Sequence, residues 1–381
     1  MAQTRGRGQI VDKGKGKWLV RVFRGRDGTG KKLYFSKVVV GSKSDAQKFL
    51  TAKYREKDIG VFIDSSRQTL NDHLDTWLEV VQGRVARQTA ESYKMLLRVH
   101  VRPLIGHMRL ADIKIPNVQR LYLEMSKQGR SPRTIRYTHT VLSMAMKKAV
   151  ELDYIMKNPC DFVELPKVDR VERSVFSSEQ ARSFLESASK TKNGIIFELA
   201  LITGARPEEY LALRWSDVDL SEGIVKIDRA LVWNRAGGGY SFGKPKTTKS
   251  RRNIPIPPQL SEKLKVHRRH QLESRLKLGG AYENQDLVFA TELGTPINSR
   301  NLAQRQFREI LKRIGLDGKG FVLYSLRHTC ATLLMASGEN PKIVAERLGH
   351  TTIKMTLDTY SHVMPDMQAT ASAKLGRMMY G

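Results

Sequence analysis

The chain has 381 residues, of which 40% are hydrophobic and 27% are charged. This length and composition predict a soluble globular protein of two or three domains and exclude a disordered or fibrous one. Lysine and arginine number 66 against 38 acidic residues, a formal net charge of +28, and the excess is +10 over residues 1–65, +7 over 66–167 and +11 over 168–381. A positive charge spread over every segment favours a protein that binds nucleic acid. The alternatives are a charged surface that only keeps the protein soluble and a ribosomal-type protein.

Other classes of protein are excluded by what the sequence lacks. No run approaches the ~20 apolar residues that a membrane helix needs, and the basic, polar first 16 residues predict no secretory signal. The two cysteines, Cys160 and Cys330, are far apart and predict neither a disulfide scaffold nor a cysteine-rich zinc module. We therefore expect a protein of a reducing cytoplasm with no membrane partner.

The first 62 residues predict a small α+β domain. Residues 17–24 and 31–40 have the β-branched and aromatic pattern of strands, and Ser44 with Asp45 offers an N-cap for a following helix. Such a helix would leave one sheet face free to lie in a DNA groove, although an ordinary polar sheet face is the alternative. The basic residues along these strands are Lys17, Arg21, Lys31 and Lys37.

Residues 67–165 predict a helical domain with linkers on both sides. Apolar residues recur at helical spacing, and Ser131 followed by Pro132 is a typical helix start. The four predicted helices begin near residues 69, 90, 115 and 131. We assign their apolar faces to the core of a small bundle. Residues 174–381 then predict a larger, mostly helical domain with one β region over 224–256.

The larger domain carries basic residues at the edges of predicted elements. In ALITGARPEEY, Gly204 ends a helix and leaves Arg206 at the start of the next one, where a guanidinium can bind phosphate. Glu209 could hold that guanidinium, and a purely structural pair is the alternative. The segment KPKTTKSRRNIP predicts a hairpin that grips a DNA backbone, unless it is a solvated loop. Its basic residues are Lys244, Lys246, Lys249, Arg251 and Arg252.

Two further motifs follow near the carboxyl end. YSLRHT places Arg327 at the start of one helix, and LGH places His350 just after the next helix, which Gly349 ends. Two helix ends brought together can gather polar groups around an anion. Tyr360 lies ten residues beyond His350 on a short amphipathic helix. Each of these residues alone usually has a structural role. Only their order along the chain points to a specific function.

This order of motifs resembles the tyrosine recombinase (phage integrase) family over the whole chain. The resemblance implies a mainly α, multidomain fold: a three-stranded sheet plus helix for arm-type DNA sites (1–62), a core-binding domain (67–165) and a catalytic domain (174–381). It implies these roles in the chemistry: catalytic arginines Arg206 and Arg327, the acidic helper Glu209, His350 at the His-or-Trp position, the nucleophile Tyr360, and the general acid Lys246, with Lys249 as second choice.

The family further implies a site-specific recombinase that integrates or excises a phage or conjugative element in a bacterial host. Each strand would be cut through a 3′-phosphotyrosine and exchanged through a Holliday junction. The implied partners are double-stranded DNA with core and arm sites, a homotetramer that exchanges residues 364–381, and accessory DNA-bending or directionality proteins. No metal or other cofactor is expected, since guanidinium groups would supply the positive charge.

One position departs from the family pattern. Tyr324 stands three residues before Arg327, where the family usually has histidine. A tyrosine hydroxyl can donate a hydrogen bond to phosphate but does not readily accept a proton near pH 7, so the acceptor of the nucleophile's proton stays open.

Three alternatives remain at this level. One is a relaxing topoisomerase of the related tyrosine type, which has no need of a second DNA-binding domain. Another is a catalytically inactive DNA-binding relative, to which only Tyr324 points. The last is a zinc hydrolase using His328, His350 and His362, although their spacing matches no ligand motif.

Overall fold

The computed structural model describes residues 9–26, 32–58, 68–168, 174–233, 238–243, 250–360 and 367–380. The chain divides into two compact units, Met1–Arg170 and Val171–Gly381. Both are built mainly from helices with small antiparallel sheets, which confirms the predicted fold class. Within the described ranges no helix is long and apolar enough to cross a membrane.

The first unit begins with a three-stranded sheet covered by one helix. Its elements are β1 (Gln9–Asp12), β2 (Lys17–Arg26), β3 (Lys32–Val40) and α1 (Lys43–Asp58). The strands are antiparallel in the order β1-β2-β3. Val20 and Val22 of β2 are fully buried and pack on Ala46 of α1, because alternate side chains of a strand point to the same face. Lys31 lies outside the described residues.

The face of each basic strand residue follows from the strand register. Lys17 and Arg21 are exposed on the face opposite to Val20. Only the predicted face was wrong for Lys37, because it pairs directly with Val20 and therefore lies on the helix-covered face; its binding to DNA stays a prediction. Its ammonium lies 5.2 Å from the ring centre of Phe49 in α1. The alternation within one strand does not show whether the odd- or the even-numbered residues of the neighbouring strand lie on the same face. Only the pairing of the two strands decides this.

The rest of the first unit is a helical bundle. Its helices are α2 (Leu70–Gln82), α3 (Arg87–Leu96), α4 (Arg102–Ile105), α5 (Ile115–Lys127) and α6 (Pro132–Glu151). A π-helical turn joins α3 to α4. The Thr69 hydroxyl and the Asp72 carboxylate cap α2 reciprocally, and Ser131 caps α6 with Pro132 in the first turn, as its sequence predicts. The apolar faces of these helices meet in one core.

The second unit is organised around one very apolar helix. Its helices are α7 (Ser178–Ser189), α8 (Gly194–Thr203), α9 (Pro207–Tyr210), α10 (Pro258–Leu278), α11 (Ser299–Leu302), α12 (Arg308–Arg313), α13 (Leu323–Ala336), α14 (Pro341–Leu348), α15 (Ile353–Tyr360) and α16 (Met367–Tyr380). Helix α8 is buried almost all round and packs against α7, α10 and α13. The ends of α8, α13 and α14 are thereby fixed close to one another.

Small strands lie where the β region was predicted. They are β4 (Val218–Asp219), β5 (Ile224–Ile227), β6 (Ala230–Trp233), β7 (Tyr240–Gly243) and β8 (Arg252–Pro255). They form an antiparallel sheet in the order β4-β5-β8 and a β6-β7 pair. Lys244, Lys246 and Lys249 precede β8 and lie outside the described residues.

Candidate active site

Arg206 is fixed at the junction between α8 and α9. Gly204 ends α8 with a left-handed backbone (φ +62°), and Arg206 is the N-cap of α9. Glu209 accepts twice from this arginine, from its backbone N–H at Oε2 (3.0 Å) and from Nη1 at Oε1 (2.7 Å). The Arg206 side chain keeps 24% of its surface exposed, so a ligand can still reach it.

Arg327 meets the same junction from α13. Its Nη1 donates to the Gly204 carbonyl oxygen at 2.7 Å, and the residue is only 4% exposed. Burial, followed by the charge of Arg206, lowers the pKa of Arg327 to about 10. The guanidinium therefore stays protonated at neutral pH, and two cations lie together at the end of α8.

Arg252, which the sequence places on a hairpin predicted to grip a DNA backbone, has a buried side chain. Its side chain is 7% exposed and donates from Nη2 to Glu209 Oε2 (3.0 Å) and from Nη1 to the Ser250 carbonyl (2.9 Å). Its buried side chain thus supports Glu209 inside the protein, whereas the sequence predicted an exposed residue on a hairpin. Along β8, residues 252 and 254 turn inward, while the preceding Arg251 is exposed and pairs with Asp228 at 3.0 Å.

The acidic residue at the centre remains charged. Burial would raise the pKa of Glu209, but the charges and hydrogen bonds of Arg252 and Arg206 outweigh burial and hold that pKa below its usual range. One buried carboxylate therefore faces three guanidinium groups, those of Arg206, Arg252 and Arg327. The excess positive charge makes this a site for an anion, and planar guanidinium forks suit a phosphate.

His350 borders the arginines as a neutral imidazole. Gly349, left-handed at φ +67°, ends α14 just before it. Burial, followed by the charges of Arg327 and Arg206, lowers the pKa of His350 to about 4. The Nδ1 atom lies 2.7 Å from the hydroxyl of the fully buried Thr356. When this hydroxyl donates to Nδ1, the proton of the ring is on Nε2, and that nitrogen is a hydrogen-bond donor.

Tyr324 lies on the first turn of α13 with its hydroxyl in a hydrogen bond. It donates to Glu208 Oε1 at 3.1 Å. Burial, followed by the charge of Glu208, raises the pKa of Tyr324 to about 12. The phenol is neutral at physiological pH and can donate a hydrogen bond, but it is a poor acceptor of a proton.

Tyr360 is the last residue of α15, and its side chain packs against helices of the same chain that carries the arginines. It is 3% exposed and packs with Ala331 of α13 and with Val344 and Leu348 of α14. Its hydroxyl lies 2.6 Å from Nδ1 of His328. Tyr360 is also close enough to Arg327 for the two side chains to interact electrostatically.

The structure therefore brings Arg206, Glu209, Arg327, His350 and Tyr360 into one site, with Tyr324 at its edge. Sequence reasoning missed the contact between His328 and Tyr360, since it considered His328 only as a zinc ligand. Its place directly after Arg327 in LRHT was the available signal. Among the described residues no group of three His, Cys, Asp or Glu side chains could hold a metal ion, and His362 lies outside them.

Comparisons with protein families give two matches. A model described as the phage integrase family matches residues 174–367, and one described as the N-terminal SAM-like domain of phage integrases matches residues 69–126. A protein of Caldanaerobacter subterraneus subsp. tengcongensis called tyrosine recombinase XerC-like is 32% identical over 95% of this chain and 96% of its own length. An integrase of Streptomyces ambofaciens is 29% identical over 97% of both chains.

Solved structures share the fold. The Tn1549 transposon integrase in complex with transposon right end DNA has a TM-score of 0.70 at 23% identity, covering 81% of this chain and 100% of that one. The lambda integrase tetramer bound to a Holliday junction has a TM-score of 0.57 at 19% identity, covering 94% and 95%. At such identities the likeness shows the fold alone.

Proposed function

The chain is a site-specific DNA recombinase of the phage integrase (tyrosine recombinase) family, and we propose that it acts through a 3′-phosphotyrosine on Tyr360. One observation carries this proposal: residues more than a hundred positions apart converge on one anion site. Arg327 donates to Gly204 beside Arg206, and the Tyr360 hydroxyl contacts His328, the residue that directly follows Arg327. A phosphodiester bound to the two guanidinium groups would thus lie beside a phenol.

The chemistry assigns a role to each of these groups. The Tyr360 oxygen attacks phosphorus, the bond to the 5′ oxygen breaks, and the strand stays attached through its 3′ phosphate. Arg206 and Arg327 stabilise the charge that develops on the non-bridging oxygens, and His350 donates a hydrogen bond from Nε2. Lys246 protonates the leaving 5′ oxygen, with Lys249 as the second choice for this acid.

The phosphotyrosine conserves the energy of the broken phosphodiester, so rejoining needs no nucleotide cofactor. The freed 5′ hydroxyl of one duplex attacks the phosphotyrosine of its partner, and repetition on the other strands resolves a Holliday junction. This exchange integrates or excises a phage or conjugative element, in the cytoplasm of a bacterial host.

The assembly in this proposal is a homotetramer on two duplexes. The sheet of the first unit, with Lys17 and Arg21 exposed on its open face, binds arm sites, while the rest of the chain binds core sites. Accessory DNA-bending or directionality proteins fold the DNA between them. Helix α16 docks on the neighbouring protomer, which is supported by its exposed apolar side chains Leu375, Met378 and Met379.

The test is a nicked core site that traps the cleaved strand. The wild-type chain forms a DNA adduct that survives detergent, with the strand attached by its 3′ end, and Tyr360→Phe forms none. An adduct with the Tyr360→Phe variant would overturn the proposal. Relaxation of supercoiled DNA without any recombinant product would instead favour a relaxing topoisomerase.

A further inference from the structure

The attack by Tyr360 requires a group that receives the phenolic proton. Free tyrosine has a pKa near ~10, so only a small fraction is ionised at neutral pH. The position where the family usually has histidine carries Tyr324 here, and its hydroxyl donates to Glu208. With the pKa of Tyr324 raised to about 12, its phenolate, the form that can accept a proton, is scarcely populated at neutral pH.

Other groups near Tyr360 also fail as proton acceptors. Arg327 is a cation that offers only donors. The Nδ1 atom of His350 lies 2.7 Å from the Thr356 hydroxyl, and when that hydroxyl donates to it, Nε2 carries the proton of the ring and is a donor. Nδ1 of His328, in contrast, is a possible proton acceptor, and it lies 2.6 Å from the phenolic oxygen.

We infer that His328 is the catalytic base of this recombinase, a conclusion that rests on the proposed function of Tyr360. As the bond between Tyr360 Oη and phosphorus forms, the phenolic proton passes to Nδ1 of His328. The bond from phosphorus to the 5′ oxygen breaks, and that oxygen takes a proton from the general acid. In rejoining, the 5′ hydroxyl passes its proton back to the deprotonated general acid as its oxygen attacks phosphorus, the bond from phosphorus to Tyr360 Oη breaks, and His328 returns its proton to the departing tyrosine oxygen.

The position of His328 on α13 suits this role. It follows Arg327 directly, so one helical turn directs a guanidinium to Gly204 and an imidazole to Tyr360. The His328 ring is 8% exposed, and its centre lies 5.9 Å from the ring centre of Tyr360. Burial keeps bulk water from competing for the proton, while an arriving phosphate adds the negative charge that stabilises an imidazolium.

The first test is His328→Asn, because an asparagine side chain can offer a hydrogen-bond acceptor near the place of Nδ1 but cannot take up a proton. We expect single-turnover cleavage of the nicked site to fall about 100-fold or more, with the dissociation constant for DNA within twofold of wild type. His270→Asn, on the exposed surface of α10, is the matched control and should cleave normally.

The pH profile separates a base from a structural histidine. The ionisable groups facing His328 are Arg327 and Tyr324 on its own helix, Tyr360 on α15 and His350 after α14. Since the pKa of His350 is about 4, a loss of wild-type cleavage between pH 7 and pH 5.5 reports His328. The Asn variant should lack this loss.

Two chemical substitutions locate the defect within the reaction. A site with sulfur in place of the leaving 5′ oxygen needs no acid, so it should rescue Lys246→Ala but leave His328→Asn slow. Fluorotyrosine at position 360 gives a more acidic phenol and should restore much of the cleavage lost in His328→Asn.

Three outcomes decide the matter. Cleavage by His328→Asn within threefold of wild type, with Tyr360→Phe inactive, overturns the base and leaves the proposed function intact. An adduct with Tyr360→Phe overturns both. If the Asn variant does not fold, fluorotyrosine at position 360 of the otherwise unchanged chain decides. A midpoint for the loss of cleavage at low pH that equals the wild-type midpoint supports His328. A midpoint that shifts with the pKa of the phenol overturns it.

Discussion

At the scale of single residues, Glu209 holds two sides of the site together. It is 2% exposed, and its two oxygens receive Arg206 from α9 and Arg252 from β8. A buried carboxylate is tolerated only while such partners remain, because removing one leaves a charge without compensation. The three residues therefore act as a unit that positions the guanidinium of Arg206.

Arg252→Ala tests this unit. We expect the free energy of unfolding to fall by about 3–5 kcal/mol, since Glu209 loses the more deeply buried of its two guanidinium partners. Arg251→Ala is the matched control, because its pair with Asp228 is exposed and should contribute about 1 kcal/mol or less. Urea denaturation of both variants measures the difference. Equal losses in the two variants would show that Arg252 does not support Glu209.

Thr356 is a second residue that acts through a neighbouring side chain, the imidazole of His350. Thr356→Val removes the hydroxyl that faces Nδ1 of His350, so the proton of the ring is no longer held on Nε2. An unpartnered buried polar group costs ~1–3 kcal/mol, so we expect cleavage to fall about tenfold or more. Thr356→Ser keeps the hydroxyl and should cleave nearly as wild type. If Val and Ser variants cleave alike, the hydroxyl does not set the tautomer.

At the scale of elements, helix ends carry the site. Gly204 and Gly349 both adopt left-handed backbones, and they end α8 and α14 next to Arg206 and His350. A Cβ at Gly204 would lie 2.6 Å from Leu348 Cδ2, so α8 and α14 meet closely there. The glycines serve packing as well as backbone conformation.

Gly204→Ala separates these two effects. An alanine in left-handed backbone costs about 1–2 kcal/mol, and the contact with Leu348 also displaces the loop that carries Arg206. We expect both stability and single-turnover cleavage to fall. Gly338→Ala is the control, since Gly338 has φ +83° and open space around it, so only stability should fall. Normal cleavage by Gly204→Ala would contradict this account.

How much of this could be predicted from sequence depends on how local the signal is. The helix ends at Ser131, Gly204 and Gly349 can be predicted from the sequence, because a capping residue acts within one turn of the helix. The face of Lys37 was mispredicted and the burial of Arg252 was not foreseen, because strand register and packing are set by distant segments. The contact between His328 and Tyr360 spans 32 residues and two helices, and no periodicity encodes it.

At the scale of the whole molecule, two features bear on the proposed assembly: the net charge and helix α16. The formal charge of +28 implies association with DNA that weakens steeply with salt. Charge alone does not join protomers. In the described part of α16, Leu375, Met378, Met379 and Tyr380 are between 57% and 93% exposed, which suits docking on a second copy of the chain.

Ending the chain after residue 366 removes α16 and tests its role. We expect the truncated protein to cleave a nicked site at a rate within a few-fold of the full chain, because Arg206, Arg327 and Tyr360 all remain. Tetramer formation on paired sites, measured by sedimentation, and recombinant product should both be lost. Recombination by the truncated chain at the full rate would show that α16 does not join protomers.

The most direct measurement concerns the identity of the residue that carries the DNA. The trapped adduct is digested with protease and nuclease, and tandem mass spectrometry locates the residual nucleotide on the peptide. The account predicts attachment to Tyr360, on the peptide that follows Lys354. Attachment to any other residue, including Tyr324 at the edge of the same site, would contradict it.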